Sequence, residues 1–345
     1  RRAADERVRC QPFRRPTADQ DAAALGAATG FWGELLRGTA VPRLPRPRGD
    51  DWLCVVAERS QTVQSFLRLS MRASKHSTYR TLFLKPLEWK DDDAASEAAP
   101  LAAVASYLRA FFPGLDVETL PAARDELPFR RVHPDEGHPQ ILTDDAYEAL
   151  CKVRRERGVA RRAVGIVGVS THDAYGGDDW DHLQGEARPV DAVAVVSWFR
   201  MGRWDPENAA APPGGGRPQP TLVLRRVTCT ASHEVCHLFG LHHCIHRHCL
   251  MNGTNHQTES DARPAFLCAI CLRKLYLALT GTDARRAPSD SEAASELGWV
   301  AARYAGLQRW HAEFDVQEPQ LAELSEFVAA ASSGSSTVLA EGQHL

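Results

Sequence analysis

The chain has 345 residues, 43% of them hydrophobic and 25% charged, with a formal net charge of −3. These are ordinary values for a globular protein with a sizeable core. A charge this close to neutral gives no global basis for binding nucleic acid or an anionic membrane surface. No apolar run approaches the roughly eighteen residues that a spanning helix needs. The first thirty residues contain no apolar stretch of the secretory type.

Residues 1–50, rich in Arg, Pro and Ala, are expected to form a poorly ordered extension with a short helix near 22–36 and an extended linker at 42–49. Residues 52–57 are a short apolar run. Residues 80–87 and 115–120 read as strands, and 91–112 between them as a helix stopped by Pro113-Gly114. Thr143-Asp144-Asp145 marks the start of a helix over 146–157, with Gly158 at its end. Residues 163–169 and 192–199 are buried strands, and 205–220 is a Pro/Gly-rich loop. A long helix is predicted over 222–241, with others near 271–279 and 291–314, and the tail 332–345 is expected to be disordered. Strands alternating with helices predict an α/β (α+β) layer.

The densest chemistry lies late in the chain. His233-Glu234-Val235-Cys236-His237-Leu238-Phe239-Gly240-Leu241-His242-His243 satisfies H-E-x-x-H-x-x-G-x-x-H at every specified position. Residues four apart share one face of a helix, so His233 and His237 can reach one zinc ion. Gly240 can end the helix in a left-handed turn and return His243 as third ligand. His242 is a rival for that position by adjacency, but the spacing fits His243. Three protein ligands leave a coordination position open, the arrangement of a catalytic zinc, and Glu234 is placed to be the general base toward a zinc-activated water. The full string would arise by chance in on the order of one chain in ten thousand, so incidental histidines are a poor account of it.

Six of the nine cysteines fall between Cys229 and Cys271. Cys244-x4-Cys249 and Cys268-x-x-Cys271 form two close pairs, the pattern of a closed four-sulfur structural zinc site. Two disulfides are the alternative in an oxidising compartment, and His246, His248 or His256 could replace one cysteine. Cys229 and Cys236 are expected to be packed thiols. Met251 follows the third histidine closely enough to form a Met-turn beneath the catalytic metal.

The combined string, His233 to His243 followed by Cys244-x4-Cys249-x-Met251 and Cys268-x-x-Cys271, resembles the archaemetzincins, a group of metzincin zinc metallopeptidases. Asn255-His256, Asp261, Arg263-Pro264 and Leu267 add to the likeness, which extends over about residues 75–315. The resemblance implies a metzincin-like fold: an upper subdomain at 51–241 with a twisted mixed sheet and helices above the active-site helix, and a smaller zinc-stapled subdomain at 242–331. It also implies a cleft-lining edge strand, placed at 180–187, that pairs with extended substrate. An aminopeptidase role is suggested for some members.

The reading is therefore a cytoplasmic, or additionally nuclear, monomer. It carries two Zn2+ ions, one catalytic and one structural, and takes a peptide or protein substrate, with no nucleic-acid or membrane partner. A catalytically weak zinc-stabilised peptide-binding module is the alternative. Zinc-finger-type nucleic-acid binding is disfavoured, because the finger spacing and a basic stripe are both missing.

Overall fold

Side-chain alternation along three adjacent strands divides the protein interior in two. The computed structural model describes residues 13–26, 30–38, 41–70, 79–87, 91–122, 127–178, 180–202, 220–282 and 288–333. Four helices come first: α1 (Ala18–Leu25), α2 (Gly30–Arg37), α3 (Trp52–Val55) and α4 (Val63–Ser70). Strand β1 (Thr81–Leu87), helix α5 (Asp91–Phe111) and strand β2 (Asp116–Thr119) follow. Next come β3 (Phe129–Val132), β4 (Pro139–Leu142), α6 (Thr143–Arg155), α7 (Arg157–Ala160), β5 (Ala163–Ser170), β6 (Asp173–Tyr175), β7 (Gly185–Arg188) and β8 (Val193–Ser197). The C-terminal part is helical: α8 (Pro220–Leu238), α9 (Gln257–Ala262), α10 (Ala269–Thr280), α11 (Asp290–Glu313) and α12 (Pro319–Ser332).

The main sheet has the order β2-β1-β5-β8-β7, all parallel except β7, which runs antiparallel to β8 and forms one edge. A smaller sheet has the order β3-β4-β6. On one face of the main sheet, Leu82, Leu84, Val164, Val167, Val169, Ala194 and Val196 join the core formed with α5, α8, α10 and α11. On the other face, Phe83, Leu87, Ile166, Val193 and Val195 pack against Ala146, Tyr147 and Leu150 of α6. This alternation is the two-residue period of a strand buried on both sides. The fold is the expected α/β class with a mixed sheet. No helix among the described residues is long and apolar enough to cross a membrane.

Three local expectations need correction. Within the first fifty residues, 13–26, 30–38 and 41–50 are built into the fold rather than forming a loose extension. Thr17 and Gln20 form a capping box at α1. Trp32, Leu35 and Leu36 give α2 a buried stripe that an average over a polar, Pro-rich segment conceals. Trp32 Nε1 donates to Glu296 Oε2 (2.8 Å), and Arg273 Nη1 donates to the carbonyl of Leu25 (2.6 Å). Helix α6 ends at Arg155, with Glu156 as its C-cap, before Gly158, which lies inside α7. Helix α12 was not anticipated, although Leu321, Leu324 and Val328 recur at helical spacing and are buried. The loop at 205–219, Cys10 and the tail from 334 onward lie outside the described residues.

Candidate active site

Helix α8 runs beneath the main sheet beside β7 and β8, and nearly every residue from Arg226 to Cys236 is buried. Its end is set by Gly240 at φ +85°. The Gly240 N–H bonds the His237 carbonyl (2.8 Å) and the Leu241 N–H bonds the Cys236 carbonyl (3.1 Å), the paired closure of a Schellman turn. A left-handed residue here turns the chain back, so His243 returns to His233 and His237. The three ring centroids lie 4.7, 5.3 and 5.0 Å apart. His242 is exposed and stands outside this group.

Each ring is held from behind. His233 Nδ1 donates to the carbonyl of Leu250 (2.8 Å), His237 Nδ1 to the carbonyl of Leu241 (2.6 Å), and His243 Nδ1 to Glu58 Oε1 (2.7 Å). These acceptors fix the Nδ1–H tautomer. Burial, then the Arg263 charge, holds the His233 imidazole well below its ordinary pKa. Burial, then His243, brings His237 down to about 3. Both rings are therefore neutral, with bare Nε2 atoms, and those two atoms face each other at 3.0 Å. Facing lone pairs at that distance repel unless a cation lies between them. A tetrahedral zinc with bonds of about 2.1 Å needs nitrogens about 3.4 Å apart, a widening of a few tenths of an ångström. The donor set fits a zinc ion.

Glu234 sits beside the triad, facing β7. A Cβ on Gly185 would lie 2.8 Å from Glu234 Oε1 and 2.6 Å from Thr230 Cγ2, so the edge strand approaches α8 this closely only with glycine there. Burial, more than any neighbouring charge, lifts the Glu234 carboxyl to about 8. The histidines and Glu234 open into a cleft of about 400 Å³, bounded by residues 182–187 around β7 on one side and 254–257 on the other. The cleft-edge strand expected at 180–187 is shorter and lies later: β7 covers Gly185–Arg188.

Directly after His243, the chain enters the second cluster. Cys244, Cys249, Cys268 and Cys271 bring their sulfurs together and are 0–4% exposed. Cys244 Sγ and Cys268 Sγ are 3.8 Å apart. That is far longer than a disulfide, and it matches the edge of about 3.8 Å of a tetrahedron with zinc–sulfur bonds of about 2.3 Å. The candidate substitutes lie elsewhere: His246 pairs with Asp21 (2.9 Å) and His256 with Asp51 (3.1 Å), while His248 is not in the cluster. Cys229 and Cys236 are buried in the main core, away from the cluster, and burial raises both thiols. Met251 is fully buried, next to the Leu250 carbonyl that holds His233.

Two supporting groups were not foreseen. Asn252 ties the loop between the clusters, donating to the carbonyls of Cys244 (2.7 Å) and Arg247 (2.9 Å) and accepting from the Cys249 N–H (2.8 Å). Glu58 and its neighbour Trp52 reach the site from the N-terminal part, where no spacing rule connects them to His243.

Residues 216–276 match the family model of peptidase family M54. Archaemetzincin-2 of Macaca fascicularis is 30% identical over 249 residues, covering 66% of this chain and 68% of that protein. Among solved structures, the archaemetzincin of Methanopyrus kandleri aligns at 24% identity with a TM-score of 0.44, over 59% of this chain and 96% of its own. A zinc-dependent peptidase of Methanocorpusculum labreanum aligns at 20% identity and the same TM-score, over 56% of this chain and 99% of its own. The family match and the curated relative define the class as a metallopeptidase. The chain belongs to the archaemetzincin family, peptidase family M54.

Proposed function

We propose that this cleft hydrolyses peptide bonds, with His233, His237 and His243 holding one catalytic zinc and Glu234 moving the proton. The observation that carries this is the convergence of three imidazoles, each tethered from behind, beside a buried carboxyl group. A zinc ion held there would supply Lewis acidity toward water and the scissile carbonyl. The residues do the rest. The Leu250 and Leu241 carbonyls and Glu58 aim the three rings. Glu234, buried beside the three histidines, takes a proton from the attacking water and returns it to the departing amine. The free edge of β7 offers backbone groups to an extended peptide, which Gly185 allows to lie close to Glu234. Met251 forms the floor beneath the histidines.

Cys244, Cys249, Cys268 and Cys271 would hold a second, structural zinc, which makes two ions per chain. Aminopeptidase action is the finer reading. Glu186 lines the cleft near Glu234 and offers a carboxylate for a substrate α-ammonium group. The test is Glu234→Gln assayed against a peptide library, with free and acetylated N-termini. We expect hydrolysis to fall by about 10²–10⁴ while bound zinc is unchanged, and acetylation to slow the wild type. Undiminished hydrolysis in the variant would reject Glu234 as the base. Peptide binding without turnover in the wild type would leave the binding-module alternative.

A further inference from the structure

Residues 50–61 precede the sheet and lie far from the M54 match at 216–276, yet they form one wall of the histidine site. We infer that Glu58 is a positioning residue for the third histidine, and that this N-terminal segment is a working part of the metal centre. The inference rests on the proposed histidine zinc site and extends it.

Glu58 Oε1 accepts from His243 Nδ1 at 2.7 Å and from Trp52 Nε1 at 2.8 Å. The two donors converge on the same carboxylate oxygen and fix it between the imidazole and the indole. Trp52 is fixed in turn. Its backbone N–H donates to Glu259 (3.0 Å), and its indole meets the His243 ring edge-on at 5.3 Å. The indole also lies so close to Gly253 that a Cβ there would be 2.4 Å from Nε1. The segment is tied to the ligand loop at further points. Gln61 Nε2 donates to the Gly240 carbonyl (2.9 Å), and Gln61 Oε1 accepts from the His242 N–H (3.0 Å) and Lys274 Nζ (3.1 Å). Ser60 Oγ pairs with His246 Nε2 (2.7 Å).

The three histidines are therefore not equivalent. His233 and His237 are rigid members of α8, held by backbone carbonyls. His243 lies on a loop, and its outer partner is a carboxylate. A carboxylate behind an imidazole fixes its tautomer and orientation and strengthens it as a donor to metal, and such partners typically change metal affinity 10–100-fold. The least constrained ligand thus has the strongest outer partner, supplied from 185 residues away in sequence.

The experiment is a zinc titration against a competing chelator on the full chain, for wild type, Glu58→Gln, Glu58→Ala and His243→Ala. Cobalt-substituted visible spectra and steady-state kinetics accompany it. We expect Glu58→Ala to bind zinc at the histidine site about 10–100-fold more weakly, to shift the cobalt spectrum of that site, and to lower kcat more than it raises KM, with the cysteine-site metal retained. Glu58→Gln keeps an acceptor oxygen without the charge. It should weaken binding by at least about threefold, and it decides the matter if the alanine variant does not fold. Wild-type affinity and spectrum in both Glu58 variants, with metal lost in His243→Ala, would overturn the role of Glu58 and leave the histidine site standing. Equal zinc binding by wild type and His243→Ala would remove the histidine site, and the inference with it.

Discussion

The histidine cluster and the cysteine cluster meet at the bond between His243 and Cys244, yet they are built on opposite terms. The four sulfurs are sealed in the core, joined to each other and to a buried loop closed by Asn252. The three imidazoles face a cleft, and each is held from behind by a different element. A closed shell leaves no room for a reactant and links the chain across nineteen to twenty-four residues. An open shell can take a reactant, and its geometry has to come from outside the ligands. The cysteine cluster should therefore govern stability, and the histidine cluster activity.

The largest expected effect breaks the closed cluster. In Cys268→Ser, one of the four sulfurs is lost inside a cluster with no solvent access. Stability should fall by about 5 kcal/mol or more, because metal binding at such sites is folding free energy. Equilibrium denaturation with and without added zinc measures it. A wild-type midpoint would mean that the four sulfurs bear no structural load.

His237→Ala is the opposite case. Peptide hydrolysis should drop to background and metal content should fall by one ion per chain, while stability changes by no more than about 2 kcal/mol. Metal analysis beside the same denaturation series checks this. Global unfolding of the variant would erase the contrast between the two clusters.

A milder change separates geometry from metal. Gly185→Ala places a methyl group against Thr230 and Glu234, where the available distances are 2.6 and 2.8 Å. Either β7 or the Glu234 side chain must shift, and a displacement near 1 Å at such a site costs on the order of 10² in rate. Metal content should be unchanged in this variant. Unaltered kcat/KM would show that the spacing of β7 from Glu234 does not matter to catalysis.

The same contrast explains what the sequence could disclose. Both clusters were readable because their geometry is local: four residues of helix place His237 over His233, and a single glycine returns His243. The sheet was readable from apolar runs such as 163–169. The supports were not. The outer partner of His243 is Glu58, on a short segment with no periodicity, and only tertiary packing brings them together. The sequence suggested one short helix near 22–36 where two stand, at 18–25 and 30–37; the Arg and Pro around them concealed their packing into the core, although the stripe at Trp32, Leu35 and Leu36 gives one of them a burial signal. Trp52 read only as part of a short apolar run, whereas its role depends on the open space over Gly253.

The smallest expected effect concerns a buried polar cluster that involves neither set of metal ligands, and so calibrates both. Asp173 is fully buried. It accepts from Arg200 Nε and Nη2 (both 2.8 Å), from Gln140 Nε2 (2.7 Å) and from His138 Nε2 (2.7 Å). Burial raises its carboxyl, but the hydrogen bonds from Arg200 and His138, the Arg200 charge and the Gln140 bond outweigh that, and the net pKa is lowered below 3.8. A carboxyl with a lowered folded value stabilises the fold above its unfolded pKa, and that contribution is lost as pH falls through the folded value. Stability should therefore decline below about pH 4, and Asp173→Asn should flatten the decline at the cost of a lower plateau at neutral pH. Acid also strips metal from Cys and His sites, so the readout is the difference between wild type and Asp173→Asn across that range, and an unchanged decline in the variant would reject the role of Asp173.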